Sequence, residues 1–204
     1  RGMCIGIRDA FNLAWKLGSV INQEADPSLL ESYADERNSH ARAYVKMAIK
    51  IGQIIHSVNS NNVLADVSEY QTGSGELRSI TPKLGSSSLT TPQPDSNTNA
   101  EGRPAPQFRI QPGNQLLDDV SGYRHVIISD TRPVGLKDGV FWINPRKQPG
   151  ASSLLKDLEI AAAWIRPDRY MGATTKSMPE LYKRLPKFLK TNEEYGDYNE
   201  TSIS

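Results

Sequence analysis

The stretch that decides the fold is "RGMCIGIRDAFNLAWKL", residues 1–17. Its apolar residues recur at helical spacing and form one stripe, made of Ile7, Ala10, Phe11, Ala14, Leu17 and, just beyond, Ile21. Leu13, Trp15 and Val20 widen the stripe, and a helix so apolar is usually buried in a larger protein. Because Gly2 and Gly6 come before the stripe, we expect a glycine-flanked loop that leads into a buried helix.

The junction between this loop and the helix has a chemical use. The first N–H groups of a helix have no partner within the helix, and the helix dipole adds partial positive charge there. Glycine lets the backbone approach a ligand closely, so the junction suits an anion or a carbonyl-rich ring edge. On this reasoning alone, a simple tight turn is the commoner explanation of two nearby glycines.

A second helix follows the first. The sequence "EADPS" ends one helix and starts the next, with Asp26 as the N-cap and Pro27 at the first helical position. The second helical stretch is expected from Leu29 to about Ile55, with a break near Asn38. Its inner face is predicted to be Ala41, Tyr44, Val45, Ala48, Ile51 and Ile55. Residues 1–56 are therefore predicted to be helical.

The composition then changes twice along the chain. Residues 57–104 are rich in Ser, Asn, Thr, Gly and Pro, which predicts a long polar linker with room for parts of it to order against a neighbouring domain. Residues 105–190 regain apolar runs and predict a small α/β unit. Residues 191–204 are polar and acidic and predict a flexible tail.

Within the α/β unit, short β-rich runs predict strands at residues 125–129, 139–143, 160–165 and 170–174. A hairpin turn is expected between the last two strands. Ser177 and Glu180 are spaced as a capping box for a final helix, which Pro186 should kink or shorten. The inner stripe of that helix is predicted to be Met178, Leu181, Tyr182, Leu185 and Leu189.

Charge and cysteine content exclude several classes of function. Lys and Arg number 24 against 23 Asp and Glu, a net charge of +1, which argues against a nucleic-acid platform. No apolar run approaches the roughly 18 residues of a membrane-spanning helix. A single cysteine, Cys4, excludes an intrachain disulfide, a multi-cysteine zinc site and a CxxC redox pair. It is compatible with a reducing compartment, so a cytoplasmic location is expected.

Several conspicuous residues have two explanations each. Cys4 is either a reactive thiol or, as we expect, a small loop residue. Trp15 is expected to pack in a core rather than to stack on a substrate. Asp9 either assists a ligand site or stabilises the first turn of its helix. The spacing of His40, His56 and His125 indicates no metal site, and these side chains are expected at the surface or the core edge.

Two charged motifs also invite a functional interpretation. Asp118 and Asp119 resemble paired catalytic acids, but in a loop before Gly122 they are expected to be turn and solvation residues. "RPD", residues 166–168, looks like a signature, but a hairpin turn is expected to explain it fully. No catalytic residue is predicted in this chain.

The opening stretch resembles the third flavin-contacting segment of the FAD-dependent aromatic hydroxylases. These are the class A flavoprotein monooxygenases, which include the phenol and 3-(3-hydroxyphenyl)propionate hydroxylases. The match runs through Gly2, Met3, Gly6, Ile7, Asp9, Ala10, Asn12, Leu13, Ala14, Trp15, Lys16 and Leu17. "LLESYADER" resembles a second motif of the family through Tyr33, Glu36 and Arg37. "PQFRIQPGNQLLDDVSG" and "WIRPDRYMG" resemble its C-terminal extension, a thioredoxin-like domain without redox cysteines.

The resemblance implies an α+β fold in four parts. Residues 1–56 would be the C-terminal helices of an FAD-binding domain, 57–104 a linker, 105–190 a thioredoxin-like domain without CxxC, and 191–204 a tail. It also implies an enzyme that uses FAD, NAD(P)H and O2 to hydroxylate an aromatic substrate. Backbone N–H groups around Gly2, Met3 and Cys4, with Gly6 beside them, would face the N1–C2=O edge of the flavin. Cys4 departs from the Asn that is commoner there.

Much of the family pattern is missing from the chain. The Gly-x-Gly-x-x-Gly motif for the FAD pyrophosphate does not occur. The resemblance also covers neither the family's Asp-Gly and Gly-Asp flavin-binding segments nor its substrate-binding sheet. Because Arg1 is not a translation start, we expect a C-terminal portion that needs the rest of the FAD and substrate domain and is inactive alone. A homodimer is a further expected assembly. The alternative is a non-catalytic thioredoxin-like module for interaction or oligomerisation, with a helical docking arm.

Overall fold

A computed structural model describes residues 2–57, 82–90 and 100–191. Two long helices come first, α1 (Gly2–Ile21) and α2 (Glu31–Ser57), joined through a 3₁₀ turn at Pro27–Leu30. The carboxylate of Asp26 accepts the N–H of Ser28 at 2.8 Å. The predicted N-cap and the proline in the first turn are therefore confirmed.

Two details of these helices differ from the sequence-based expectation. The predicted loop before α1 is wrong, because α1 begins at Gly2 and Gly6 lies inside the helix. The predicted break near Asn38 is also wrong, because α2 is continuous. A glycine inside a helix costs only about 1 kcal/mol and an asparagine less, so the rest of each long helix outweighs the local preference.

The predicted inner stripe of α1 faces outward among the described residues. Ile7, Phe11, Leu17 and Ile21 are 50%, 41%, 36% and 73% exposed, and Ala10 and Ala14 are exposed as well. The opposite side of the helix is buried, and it carries polar residues, Asn12, Lys16 and Ser19. The inner face predicted for α2 is wrong in part for the same reason, since Val45 and Ala48 are exposed and His40 and Met47 are buried.

The C-terminal half of the chain forms an α/β unit. It opens with a two-stranded antiparallel ribbon, β1 (Arg109–Ile110) and β2 (Gln115–Leu116), followed by the short helix α3 (Leu117–Ser121). Strands β3 (Val126–Ser129) and β4 (Phe141–Ile143) precede helix α4 (Pro149–Asp157). Strands β5 (Ala162–Ile165) and β6 (Met171–Thr175) precede helix α5 (Met178–Arg184).

The four longer strands form one mixed sheet in the order β4–β3–β5–β6. Strands β3 and β4 run parallel, and β5 is antiparallel to both β3 and β6. All four predicted strands are thus confirmed; β3, β4 and β5 are shorter than predicted, and β6 is shifted by one residue. The Ser177 half of the predicted capping box is confirmed, because the Ser177 hydroxyl accepts the N–H of Glu180 at 3.4 Å, and α5 ends two residues before Pro186. The reciprocal bond of the Glu180 side chain stays a prediction. Helices α3 and α4 were missed because each is too short for a clear apolar period.

Both faces of the sheet are covered, so β3, β5 and β6 are fully buried, while the edge strand β4 is partly buried. One face packs on α3 and α4 through a cluster that includes Leu117, Val126, Ile128, Leu154 and Ile165. The other face packs on α5, and Trp15 and Val20 of α1 join this cluster, whose buried members include Leu29, Leu89, Ile127, Trp164, Leu181 and Leu185. The predicted inner stripe of α5 is buried as expected. The second cluster places α1 against the α/β unit.

Parts of the predicted linker belong to this packing. Residues 82–90 and 100–104 lie against α2 and the sheet, with Leu84, Leu89 and Ala100 buried. Residues 58–81, 91–99 and most of the predicted tail lie outside the described residues. Within the described ranges, no helix is both long and apolar enough to cross a membrane.

Candidate functional site

The four residues predicted to contact a cofactor lie on the first two turns of α1. Met3 is 77% exposed, and Cys4 and Gly6 are exposed as well. The N–H groups of the first turn, from Gly2 to Cys4, have no partner within the helix. A Cβ placed on Gly6 would meet no described atom within 4 Å. The described residues therefore leave this end of the helix open, and its donors fit an electron-rich ring edge.

A buried acidic residue lies under the middle of α1. Glu36 of α2 is fully buried, and its Oε2 accepts a hydrogen bond from Asn12 Nδ2 at 2.9 Å and from Lys16 Nζ at 2.9 Å. Both donors are on α1 and are themselves fully buried. The polar side of α1 is therefore directed inward by one carboxylate of α2.

The turn between β5 and β6 reaches the same carboxylate. Arg166 donates from both terminal nitrogens to Glu36, at 2.7 Å to Oε1 and 2.8 Å to Oε2. It also binds Asp168 within its own turn, at 3.1 Å from Nε and 2.7 Å from Nη2. Asp168 in turn accepts from Asn12 at 2.8 Å. The expectation that a hairpin turn fully explains residues 166–168 is wrong, because the turn is also a contact with α1 and α2.

A fourth segment, residues 82–90, completes the cluster. The Ser87 hydroxyl donates to Glu36 Oε1 at 2.7 Å, and the Gly85 N–H donates to the backbone carbonyl of Glu36 at 2.9 Å. A side chain at Gly85 would overlap the backbone carbonyl of Asp35, so the close approach of this segment to α2 requires glycine. Part of the predicted polar linker is thus a component of the site.

We call Asn12, Lys16, Glu36, Ser87, Arg166 and Asp168 the ion cluster. It holds two acidic and two basic side chains, so its formal charge is zero. Burial alone would raise the pKa of Glu36, but Arg166 and Lys16 outweigh burial and hold it at about 2. Burial lowers the pKa of Lys16 to about 8 against the opposing effect of Glu36. The guanidinium of Arg166 stays charged, because Asp168 and Glu36 raise its pKa more than burial lowers it.

Trp15 lies beside the ion cluster, half-buried, with its ring centroid 5.4 Å from the Arg166 guanidinium carbon and 5.8 Å from Lys16 Nζ. Its ring also meets His125 edge-on at 5.3 Å. The expected packing role of Trp15 is consistent with these contacts. Burial and the charge of Arg166 lower the pKa of His125 to about 3, and its Nδ1 accepts the indole N–H of Trp164 at 3.2 Å, so the ring is neutral.

A second polar group lies nearer the open end of α1. Asp9 pairs with Arg37 Nε at 2.5 Å. Because it lies two turns into α1, the alternative that it stabilises the first helical turn is wrong. His40 is fully buried against the rings of Tyr44 and Tyr170, and its Nδ1 has no partner among the described residues. Burial, with Arg37 and Arg8 nearby, lowers the pKa of His40 to about 4. The expected place of His40 at the surface or core edge is therefore wrong.

The two adjacent acidic residues that resembled paired catalytic acids belong to a short helix. Asp118 and Asp119 lie in helix α3 rather than in a loop, and Asp118 pairs with Arg169 at 2.5 Å. In the described part of the chain, no group of three His, Cys, Asp or Glu side chains could hold a metal ion. The side chain of His56 lies outside the described residues. One signal in the sequence could have identified Arg166. It directly follows a wholly apolar strand, and a charge buried at such a position must be paired.

Comparison with known proteins connects the open helix end to a family. Residues 1–48 match the family model described as an FAD binding domain. A 3-(3-hydroxy-phenyl)propionate/3-hydroxycinnamic acid hydroxylase of Mycolicibacterium vanbaalenii is 46% identical over 59 residues, which are 29% of this chain and 10% of that protein. This N-terminal part of the chain is similar to FAD-dependent aromatic hydroxylases. A hydroxylase of the same name from Klebsiella pneumoniae is 46% identical over 55 residues, 27% of this chain and 10% of that protein.

Solved structures of two hydroxylases are similar in fold over most of the chain. A ternary complex of aklavinone-11 hydroxylase with FAD and aklavinone superposes with a TM-score of 0.61 at 18% identity, covering 91% of this chain and 39% of that one. OxyS anhydrotetracycline hydroxylase from Streptomyces rimosus gives 0.56 at 21% identity, covering 91% and 40%. These likenesses establish the fold alone. The match to the curated hydroxylase relatives spans about a tenth of their length.

Proposed function

We propose that the chain is the C-terminal part of a flavin-dependent monooxygenase that hydroxylates a phenolic or aromatic substrate with FAD, NAD(P)H and O2. The observation that carries this proposal is the open start of α1, where Gly2, Met3, Cys4 and Gly6 occupy the first two turns, within the segment that matches an FAD binding domain. The first-turn N–H groups donate to the N1–C2=O edge of the flavin, where the positive end of the helix dipole favours electron-rich oxygen and nitrogen. When bound, FAD supplies the redox chemistry.

The exposed apolar stripe of α1 supports the proposal that this chain packs against further parts of a larger enzyme. Its apolar side chains, Ile7, Phe11, Leu17 and Ile21, are exposed along one face, although the Phe11 ring also contacts Tyr123. An apolar face of this length is typical of a contact surface. We propose that the remainder of the FAD and substrate domain covers it. The chain by itself then holds one edge of the flavin site and is colourless and inactive with NADPH and a phenol.

The glycines of α1 provide a matched test of flavin contact. Gly6 and Gly18 both lie in α1, and a Cβ on either meets nothing described within 4 Å. In the longer protein that the proposal requires, Gly6→Ala should weaken FAD binding at least tenfold, because the added methyl group keeps the ring away from the helix start. Gly18→Ala, three turns away, should leave it unchanged. Equal FAD affinity in both variants, measured by fluorescence titration, would contradict the proposed contact.

The gene offers an independent test. The reading frame upstream of Arg1 should encode a strand followed by Gly-x-Gly-x-x-Gly, which binds the pyrophosphate of FAD in this class of enzyme. An upstream frame without this motif would refute the proposal. A purified 204-residue chain that is yellow and consumes NADPH with a phenol would refute the proposal that this chain holds only one edge of the flavin site.

We propose that the α/β unit is a thioredoxin-like domain that acts in interaction or assembly, for example in a homodimer. We also propose that the protein is cytoplasmic. The parallel β3–β4 pair next to the antiparallel β5–β6 hairpin supports the thioredoxin-like assignment. Cys4 lies far from the sheet in sequence and is the chain's only cysteine, so dithiol chemistry is excluded. Sedimentation of the longer protein with and without residues 105–204 tests the role. An unchanged assembly state and an unchanged melting temperature would argue against it.

A further inference from the structure

The ion cluster decides which side of α1 faces inward. At 100° per residue, Asn12 and Lys16 lie on the side of the helix opposite to Ile7, Leu17 and Ile21. Apolar burial alone would direct the apolar stripe towards the sheet. The structure has the reverse arrangement, with the polar pair fully buried and the stripe exposed. The rotation of α1 about its axis is therefore set by the pairing of its polar side with Glu36 and Asp168.

Arg166 fixes the orientation of its partners in the ion cluster as well as balancing their charge. Its two terminal nitrogens engage both oxygens of Glu36, and a planar guanidinium that binds a carboxylate at two points fixes orientation in a way that an ammonium group does not. It also holds Asp168, which accepts from Asn12 of α1. Through Glu36 and Asp168, one side chain of the β5–β6 turn thus constrains both long helices.

The first turn of α1 is rigidly connected to this anchor. Asn12 is eight residues beyond Cys4, and at 1.5 Å per residue the two are about 12 Å apart along the helix axis. α1 is continuous over this distance, so a rotation or a shift at Asn12 is carried to the first turn. No side chain of the α/β unit needs to reach the flavin in order to influence it.

We propose that Arg166 is a positioning residue, through which the β5–β6 turn of the α/β unit sets the rotation of α1 and thereby the aim of its first-turn N–H groups. As a statement about the helix, the proposal stands on the ion cluster alone; as a statement about flavin, it rests on the function proposed above. It gives the C-terminal unit a role at the flavin site that does not require catalytic residues.

The test uses two Arg166 variants and a matched control. Arg166→Lys keeps the charge and loses the two-point contact, and Arg166→Met removes both. Arg146→Met removes another arginine from an ion pair, with Asp130 at 3.0 Å, but that pair is 77% and 55% exposed. Amide hydrogen exchange of the 204-residue chain needs no flavin. We expect exchange at least tenfold faster across residues 2–16 in Arg166→Lys, with strands β3 and β5 unchanged, and no change anywhere in Arg146→Met.

Two results would overturn the proposal. If exchange in residues 2–16 of Arg166→Lys equals that of the wild type, Arg166 does not position α1, whether or not flavin binds. If exchange rises equally in α1, β3 and β5, Arg166 has only a general stabilising role. In the longer protein with FAD bound, Arg166→Lys should shift the flavin reduction potential and Arg146→Met should not. A wild-type protein that fails to bind FAD would refute the proposed function and leave the exchange result intact.

Discussion

Arg166 holds both carboxylate oxygens of Glu36, a residue 130 positions earlier in the chain, at 2.7 and 2.8 Å. Both side chains are completely buried. The pair joins a helix that lies within the match to an FAD binding domain to a turn of the C-terminal α/β unit. Burial of a charged pair is costly unless every group is paired, and here Lys16, Asn12, Ser87 and Asp168 provide the remaining partners.

Removing the charge of Glu36 should destabilise the chain strongly. Glu36→Gln keeps the shape but leaves two buried cations with one carboxylate, and breaking a buried pair in this way typically costs about 3–5 kcal/mol. Urea unfolding measures the loss. Asp130→Asn, which breaks the exposed pair with Arg146, should cost far less, because solvent screens an exposed ion pair. Similar losses in the two variants would show that the ion cluster is no stronger than a surface pair.

Stability should fall on acidification, beginning near pH 6.5. His40 and His125 have folded-state pKa values of about 4 and 3, below their ordinary value of 6.5. The unfolded chain therefore takes up protons that the folded chain cannot, and each histidine adds a slope of up to about 1.4 kcal/mol per pH unit below pH 6.5. Glu36, with its pKa lowered from 4.5 to about 2, adds a further loss below pH 4.5.

A His40→Gln variant tests the contribution of one histidine. Unfolding free energies at pH 7.5, 6.0 and 5.0 should fall less steeply in His40→Gln than in the wild type, because one proton uptake is removed. The difference should be close to one histidine's share of the slope. Parallel pH profiles for the two proteins would mean that His40 already titrates normally in the folded chain.

Two glycines should respond to alanine with opposite signs. A Cβ on Gly172 in strand β6 would overlap the ring of Trp164, which is 1% exposed and cannot move aside. Gly172→Ala should therefore cost about 1–3 kcal/mol through overpacking. Gly18 is in helix α1 with open space around it, so Gly18→Ala should stabilise by about 0.5–1 kcal/mol. Thermal melts of both variants decide the matter, and a stabilising Gly172→Ala would contradict the packing of β6 on β5.

The exposed stripe of α1 should make the isolated chain self-associate. Ile7→Lys and Ile21→Lys change residues that are 50% and 73% exposed, so they should reduce the sedimentation coefficient at high concentration without lowering the melting temperature. Val134→Lys, at a residue 46% exposed in the α/β unit, is the control and should change neither. A lower melting temperature in the α1 variants would show that the stripe is buried in the isolated chain.

The local elements follow from short-range rules, and the sequence predicts them well. Asp26 and Pro27 start the second helical segment because a side-chain acceptor and a fixed φ suit a helix start. Ser177 caps α5 for the same reason. The strands were predictable because their apolar runs are too short for helices and are rich in β-branched and aromatic residues. The errors at Gly6 and Asn38 arose where a weak local preference opposed a long helix.

The ion cluster is different, since its members come from four separate segments. Asn12 and Lys16 fall on a helix whose stripe indicated the opposite inner face, and Arg166 falls in a turn that seemed self-sufficient. The sequence by itself determined the two long helices, the C-terminal helix, the four longer strands, the caps and the likeness of residues 1–17 to a flavin-contacting segment, because each depends on neighbours in the chain. Only the tertiary structure decided which side of α1 is buried, because that depends on Glu36, Ser87, Arg166 and Asp168 meeting in one place where unpaired charges cannot remain.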